Sequence, residues 1–318
     1  MAPVAYREAV RSAIADEMKA DERVVLMGED VSQGGVFNVT PGLAERFGDR
    51  RVLDTPISEL AFTSAAFGAA VRGLKPVVEI MFGDFLGLVV DTLGNQASKY
   101  WYLSNEQASV PLTVRSAVGA GASFGPCHSQ TPTGLFMAEP GLRLVAPSTP
   151  ADAYAIMRAA IQDPNPVIVF EHKGLYARKG ELDGNGEPGL DRAVLRRAGG
   201  DVTIAAALAM VDVALEAAGE LAGEGVEADV IDLRTLRPLD GDTIVGSVTR
   251  SGRLVVVEEG PPQGGYAAEV VALAVEVAGP LAVRRVTMPD LPIPFAPSLE
   301  KDALPGVADV VAAVRALL

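Results

Sequence analysis

Glu59 closes the hexapeptide D-T-P-I-S-E, Asp54 to Glu59, where a short apolar strand (Val52, Leu53) turns through Pro56 into a helix. Ser58 is the residue type expected at the helix N-cap, which places Glu59 in the first turn, where the helix dipole favours a carboxylate. On these facts alone the carboxylate serves the dipole, and a chemical role needs further grounds. The helix carries Ala61, Ala65, Ala66, Gly68, Ala69 and Ala70. It is thin enough for another backbone or subunit to approach closely, and Gly73 is its expected stop.

The chain has two histidines and one cysteine. His128 lies in G-A-G-A-S-F-G-P-C-H-S-Q, Gly119 to Gln130, a glycine-rich loop following a strand. Active-site loops gather at such strand ends, although a lone histidine is more often a packed or surface residue. His172, in E-H-K after a buried-type strand, suits a structural or supporting place. Gly119, Gly121 and Gly125 approach a dinucleotide fingerprint, but their spacing departs from it. Pro126 disfavours a following helix, and no Lys-Ser/Thr follows as a phosphate loop needs. Cys127 and His128 are adjacent in an extended segment, so their side chains point opposite ways. No Cys/His/carboxylate grouping has transition-metal spacing, and no G-x-S-x-G elbow occurs.

The elements that must position these residues alternate in type. Tyr6, Ala9, Val10, Ala13, Ile14 and Met18 recur at helical spacing, and Val24 to Met27 form a strand ending in G-E-D. Thr40-Pro41 reads as a helix start. A strand from Lys75 delivers Met81, Phe82, Asp84 and Phe85, and a long helix is predicted over 85–103. Strands at Pro111 to Ser116, Arg143 to Ala146 and Pro166 to Glu171 follow, with Thr149-Pro150 opening a helix between the last two. Glycine-rich, aperiodic sequence from Lys173 to Arg192 marks a boundary. A second series of strands (202–206, 228–231, 253–257, 283–287) and helices (211–222, 266–277 and a terminal one) comes after it. Strand–helix alternation predicts mostly parallel sheets with ligands at the strand carboxyl ends.

Composition narrows the class. Nearly half of the 318 residues (49%) are hydrophobic and 5% aromatic, as suits compact α/β domains with small-residue helix packing. A net charge of −14 argues against a nucleic-acid surface. No apolar run reaches membrane-spanning length. The first residues lack a basic region followed by an apolar core, so no signal peptide is expected. One cysteine leaves no internal disulfide and suggests a reducing cytoplasm.

Taken together, D-T-P-I-S-E, M-F-G-D-F-L-G, N-Q-A-S-K, H-S-Q, P-G-L-R-L-V-A-P-S-T-P-A-D-A, D-P-N-P-V-I-V-F-E, I-D-L-R-T-L-R-P-L-D and V-V-V-E-E-G-P-P-Q-G-G run in order over almost the whole chain. This set resembles the β subunit of the decarboxylating component of 2-oxoacid dehydrogenase complexes, thiamine-diphosphate enzymes of the transketolase type. M-F-G-D-F-L-G and F-E-H-K-G-L-Y look more like the acetoin-type and related bacterial members. The resemblance implies two doubly wound α/β domains: a pyrimidine-binding, transketolase-like domain over 1–180, a linker over 181–195, and a transketolase C-terminal-like domain over 196–318. It implies that Glu59 bonds the cofactor's pyrimidine nitrogen, that Met81 and Phe85 pack on the ring, that Ile57 lines the pocket, and that His128 faces the substrate carbonyl or carboxylate. It further implies a monovalent cation, K⁺, on the backbone carbonyls of Leu112, Ala160, Ile161, Asp163 and Asn165. The chain has no G-D-G…N-N segment, so the diphosphate and its Mg²⁺ would belong to an α subunit in a heterotetramer of two α and two β chains. Such an enzyme passes its acyl group to a lipoyl-bearing acyltransferase in the cytoplasm. The family's D-Q is Asp91-Thr92 here, Gly94 lies inside the helix, and Ser104-Asn105-Glu106 replaces a glycine pair. The other readings are cleavage of acetoin with the same cofactor, a dinucleotide oxidoreductase built on the Gly119 loop, and a non-catalytic assembly subunit.

Overall fold

The computed structural model describes residues 3–182 and 189–318. In chain order its strands are β1 (Val4–Ala5), β2 (Val24–Gly28), β3 (Val52–Asp54), β4 (Lys75–Ile80), β5 (Thr113–Val118), β6 (Arg143–Val145), β7 (Val167–His172) and β8 (Lys179–Gly180), then β9 (Val194–Arg197), β10 (Val202–Ala206), β11 (Ala228–Asp232), β12 (Thr235–Arg237), β13 (Arg253–Glu258) and β14 (Ala282–Thr287). Seven form a sheet in the order β12-β6-β7-β5-β4-β2-β3, parallel except for β12. Five form a second, β14-β13-β10-β11-β9, parallel except for β9. β1 and β8 pair as a short antiparallel ribbon.

Alternate strand residues feed helical layers on opposite faces, as a parallel sheet covered on both sides requires. In β7, Val167 and Val169 pack with the Tyr6–Ala20 and Pro150–Gln162 helices, while Ile168 and Phe170 face the core on the other side, which includes the Glu59–Val71 helix. In β13, Val255 and Val257 face the Met210–Ala222 and Val307–Arg315 helices, and Leu254 and Val256 face Gly241–Ser251 and Tyr266–Ala278. One apolar core runs without a break from the Glu59–Val71 helix to the Tyr266–Ala278 helix. Both sheets are therefore doubly wound. β9 opens at Val194, inside the stretch expected as linker, and residues 183–188 of that stretch lie outside the described residues. β12 comes from the C-terminal part of the chain and extends the first sheet, so the two parts interlock.

Three local expectations change. The helix predicted over 85–103 is a 3₁₀ segment (Gly83–Val89), a π-helical segment (Asp91–Ala97) and an α-helix confined to Ser98–Leu103. Gly94 lets the backbone press against the Glu139 side chain. The Gly94 carbonyl accepts from Ser98 Oγ and from Lys99 Nζ, each at 2.7 Å, which stabilises the wider turn. Thr40 does not open a helix: its hydroxyl donates to the Val31 carbonyl at 2.8 Å, and the helix starts at Leu43 after Gly42. Ser58 does stand at the start of the Glu59–Val71 helix, but its hydroxyl donates to the Pro56 carbonyl at 3.2 Å and caps nothing. Its hydroxyl tightens the Pro56 turn instead.

Close contacts weld the two halves. Gly134 lies so near the Gly264 carbonyl that a side chain there would overlap it. Arg196 pairs with Asp232 at 2.7 Å and also with Asp152, and Arg237 donates to the Met137 carbonyl at 2.6 Å. At this seam Glu258 accepts from the N–H groups of Tyr266 (3.0 Å) and Ala267 (2.8 Å), holding the start of their helix. Burial outweighs these donors and pushes the carboxyl from 4.5 up to about 7. A pKa raised on folding contributes stability that is fully present below 4.5 and lost as pH rises through 7, worth about 3 kcal/mol. Thermal melts of Glu258→Gln are therefore expected to lose the part of the melting-temperature decline that the wild type shows between these two pH values. An unchanged slope in the variant would remove Glu258 from the account.

Candidate active site

The carboxyl ends of β2, β3, β4, β5 and β7 open on one side of the first sheet. They deliver Glu29, Glu59, the Met81–Phe85 run, the Gly119–Gln130 loop and Lys173. Phe37, from the loop after β2, starts an aromatic cluster there. It meets Phe82 edge-on at 5.4 Å and Phe124 at 6.4 Å. Phe82 in turn meets Phe85 at 5.9 Å and the His128 ring at 4.6 Å, with planes 83° apart. Phe85 reaches the same imidazole at 5.6 Å. Such edge-to-face pairs contribute about 0.5–1.5 kcal/mol each beyond their burial. His128 and Phe85 are thus brought together, and Phe82, which the sequence places at the same strand end without a role, is the ring that joins them.

The loop bearing His128 is tied down at both ends. Ala120 N–H donates to Glu259 at 2.6 Å, and the Gly121 and Ser123 N–H groups donate to Glu300 at 3.0 Å. Gln130 N–H donates to Asp84 at 3.4 Å. Lys173 Nζ donates to the carbonyl of His128 itself at 2.6 Å and lies over the Phe82 and Phe124 rings. Burial lowers this ammonium from 10.5 to about 8, against the pull of Asp84, Glu259 and Glu300. Burial likewise raises Asp84. The loop's glycines serve this packing: Gly119 (φ +95°) lies against the His172 ring, and Gly125 (φ +73°) against Phe295. No helix opens after Gly125, and the next one, Gly134–Met137, is a single turn. The dinucleotide reading therefore fails, because no helix N-terminus meets the loop to hold a pyrophosphate.

Glu59 is 7% exposed, and no described residue donates a hydrogen bond to its carboxylate. Glu29, buried beside it, is raised first by burial and then by repulsion from Glu59, Asp30 and Glu79. Two carboxyls so placed are suited to share or hand on a proton. Ile57, two residues earlier, is 83% exposed and turns away from this chain's interior. Met81 and Phe85 are half-buried. Sequence carried a trace of Glu29, in G-E-D at the end of β2. Glu259 and Glu300 had no local signal, because their partners lie far away in the chain.

Leu112, Ala160, Ile161, Asp163 and Asn165 lie at the opposite end of the sheet, in and beside the segments that precede β5 and β7. There the Leu112 carbonyl accepts from Val167 N–H at 2.9 Å and the Ala160 carbonyl from Asp163 N–H at 3.3 Å. The Asp163 carboxylate is taken by Arg143 and by Asn165. Among the described residues no cluster of three or more His, Cys, Asp or Glu could hold a metal ion.

Comparison with known proteins agrees with this geometry. The family model "Transketolase, pyrimidine binding domain" matches residues 2–179, and "Transketolase, C-terminal domain" matches 191–310. The acetoin:2,6-dichlorophenolindophenol oxidoreductase subunit beta of Bacillus subtilis is 41% identical over 99% of this chain and 97% of its own. The pyruvate dehydrogenase E1 component subunit beta-1, mitochondrial, of Arabidopsis thaliana is 44% identical over 97% of this chain and 88% of its own. The 2-oxoisovalerate dehydrogenase subunit beta of Bacillus subtilis is 38% identical, covering 100% and 99%. Among solved structures, a split-gene transketolase described as an inactive β4 tetramer superposes with a TM-score of 0.85 at 26% identity, covering 99% of this chain and 98% of that one. The chain thus belongs to the transketolase-like family of dehydrogenase β subunits, a pyrimidine-binding domain followed by a transketolase C-terminal domain.

Proposed function

We propose that this chain is the β half of a thiamine-diphosphate site, which with an α subunit decarboxylates a 2-oxoacid and passes the acyl group to a lipoyl-bearing acyltransferase in the cytoplasm. The observation that carries the reading is Glu59: a buried carboxyl without an internal donor, at the strand ends of a pyrimidine-binding domain. Its carboxylate takes no hydrogen bond from a described residue, so the position suits a donor brought by a ligand, and a protonated aromatic ring nitrogen is one. Bound thiamine diphosphate supplies an acidic carbon that adds to the substrate carbonyl. Glu59 holds and returns the proton at the pyrimidine nitrogen. Met81 and Phe85 offer apolar faces to the ring, and Ile57 completes the wall once a partner surface covers it. His128, steadied between Phe82 and Phe85, donates to the substrate oxygen where negative charge develops. The diphosphate and its Mg²⁺ fall to the α subunit, since the chain lacks a G-D-G…N-N segment. A K⁺ ion is assigned to the carbonyls of Leu112, Ala160, Ile161, Asp163 and Asn165.

Cleavage of acetoin is the second reading, favoured by the 41% identity to an acetoin oxidoreductase β subunit. It asks the same of Glu59 and His128. Steady-state assays of the reconstituted enzyme with pyruvate, branched 2-oxoacids and acetoin in turn would identify the donor.

With an α partner present, Glu59→Gln is expected to keep its fold and assembly while turnover falls about 10²–10⁴-fold, the usual cost of losing an acid–base group. Near-wild-type turnover would reduce the chain to an assembly subunit. A second expectation concerns the isolated chain, whose Ile57, Leu60, Tyr102 and Leu103 are exposed apolar side chains on and beside the Glu59–Val71 and Ser98–Leu103 helices. Sedimentation should give an inactive self-associated chain alone and an active heterotetramer with α. A fully active monomer would contradict the proposal.

A further inference from the structure

We propose that Lys173 is a positioning residue for His128, holding the imidazole through the backbone carbonyl of the same residue. The inference rests on the reading of His128 as the group that faces substrate. Two routes of contact link Lys173 to His128, one direct and one through Phe82. The Lys173 ammonium donates to the His128 carbonyl at 2.6 Å. It also lies over the faces of Phe82 (5.4 Å) and Phe124 (5.9 Å). Phe82 and the imidazole then meet edge to face, with centroids 4.6 Å apart. One cation therefore fixes both the backbone of His128 and the ring against which its side chain leans. Lys173 is only 8% exposed, and its carbonyl partner and ring contacts leave it few alternative placements.

The position follows from topology. Lys173 is the first residue after β7, adjacent in the sheet to β5, whose carboxyl end launches the His128 loop. Asp84 supplies the second tie, accepting from Gln130 N–H two residues beyond His128. The Glu259 and Glu300 ties act nearer the loop's start, at Ala120, Gly121 and Ser123. Removing Lys173 therefore takes away the direct hydrogen bond from another element to His128 itself, while the Asp84 tie and the anchors of the early loop remain.

The test uses Lys173→Met and Lys173→Arg in the reconstituted α/β enzyme with thiamine diphosphate. Met keeps the length and apolar stem without the donor, and Arg keeps charge and donor. Displacing a catalytic group by a fraction of its proper geometry costs about 10- to 100-fold, so Met should lower kcat/KM for the acyl donor by that factor. Cofactor affinity and melting temperature should hold, and Arg should recover part of the loss. A readout independent of turnover is acylation by diethyl pyrocarbonate, located by peptide mass spectrometry. In Met it should speed up at His128 and not at His172. Unchanged acylation at His128 in Lys173→Met would overturn the proposal, as would a joint fall of cofactor affinity and melting temperature. If acylation at His128 rises but wild-type enzyme converts neither 2-oxoacids nor acetoin, the positioning stands and the functional reading falls.

Discussion

A single buried carboxylate, Glu259, joins the end of β7 to the start of the loop that carries His128. One oxygen accepts from His172 Nε2 at 2.9 Å and the other from Ala120 N–H at 2.6 Å. Gly174 N–H donates to His172 Nδ1 at 3.0 Å, which leaves the proton on Nε2, where the carboxylate needs it. Burial pushes the Glu259 carboxyl up, but His172 and the Ala120 N–H outweigh it and hold the group below its ordinary value. Because Glu259 belongs to the C-terminal domain and His172 to the first, the loop acquires its shape only when the two domains are docked. That gives the C-terminal domain a role in the site although none of the residues assigned to cofactor or substrate lies in it.

The strands beneath are braced by an equally buried set of charges. Arg115, in β5, donates to Glu171 of β7 at 2.7 and 2.6 Å, pairs with Glu79 of β4, and reaches the Tyr176 hydroxyl at 3.4 Å. Breaking such a set by removing one partner typically costs about 3–5 kcal/mol, because a charge is left buried and unpaired. The three strands so joined are those whose carboxyl ends carry Met81, His128 and Lys173, so the ion set also fixes their mutual register. Rigid strands below and a loop tied by carboxylates above give the imidazole one place to sit.

Much of this was legible in the chain because it is periodic or punctuated. Alternating apolar runs located the parallel strands to within a residue or two, and Thr149-Pro150 opened its helix with the expected cap, Asp152 N–H donating to Thr149 at 3.1 Å. Glu59 and His128 were singled out by the resemblance of their short motifs to a known family, not by local chemistry alone. The illegible parts depend on distant partners. The π-helical stretch exists because Gly94 meets Glu139 and because its carbonyl is claimed by Ser98 and Lys99. The Gly241–Ser251 helix was passed over, although Asp240 caps Thr243 N–H at 3.1 Å and offered a sign of it. Lys173 read as the start of an aperiodic boundary stretch, since nothing local says that its ammonium turns back onto a loop 45 residues earlier.

On the proposed function, Glu59 governs proton traffic at the pyrimidine of bound thiamine diphosphate. The most direct measurement is hydrogen–deuterium exchange at the acidic thiazolium carbon in the α/β enzyme without substrate, read by quenched-flow magnetic resonance. Wild-type enzyme should exchange that hydrogen far faster than free cofactor, and Glu59→Gln should slow the exchange by about 10²-fold or more while still binding cofactor. Exchange in Glu59→Gln at the wild-type rate, with cofactor bound, would contradict the account.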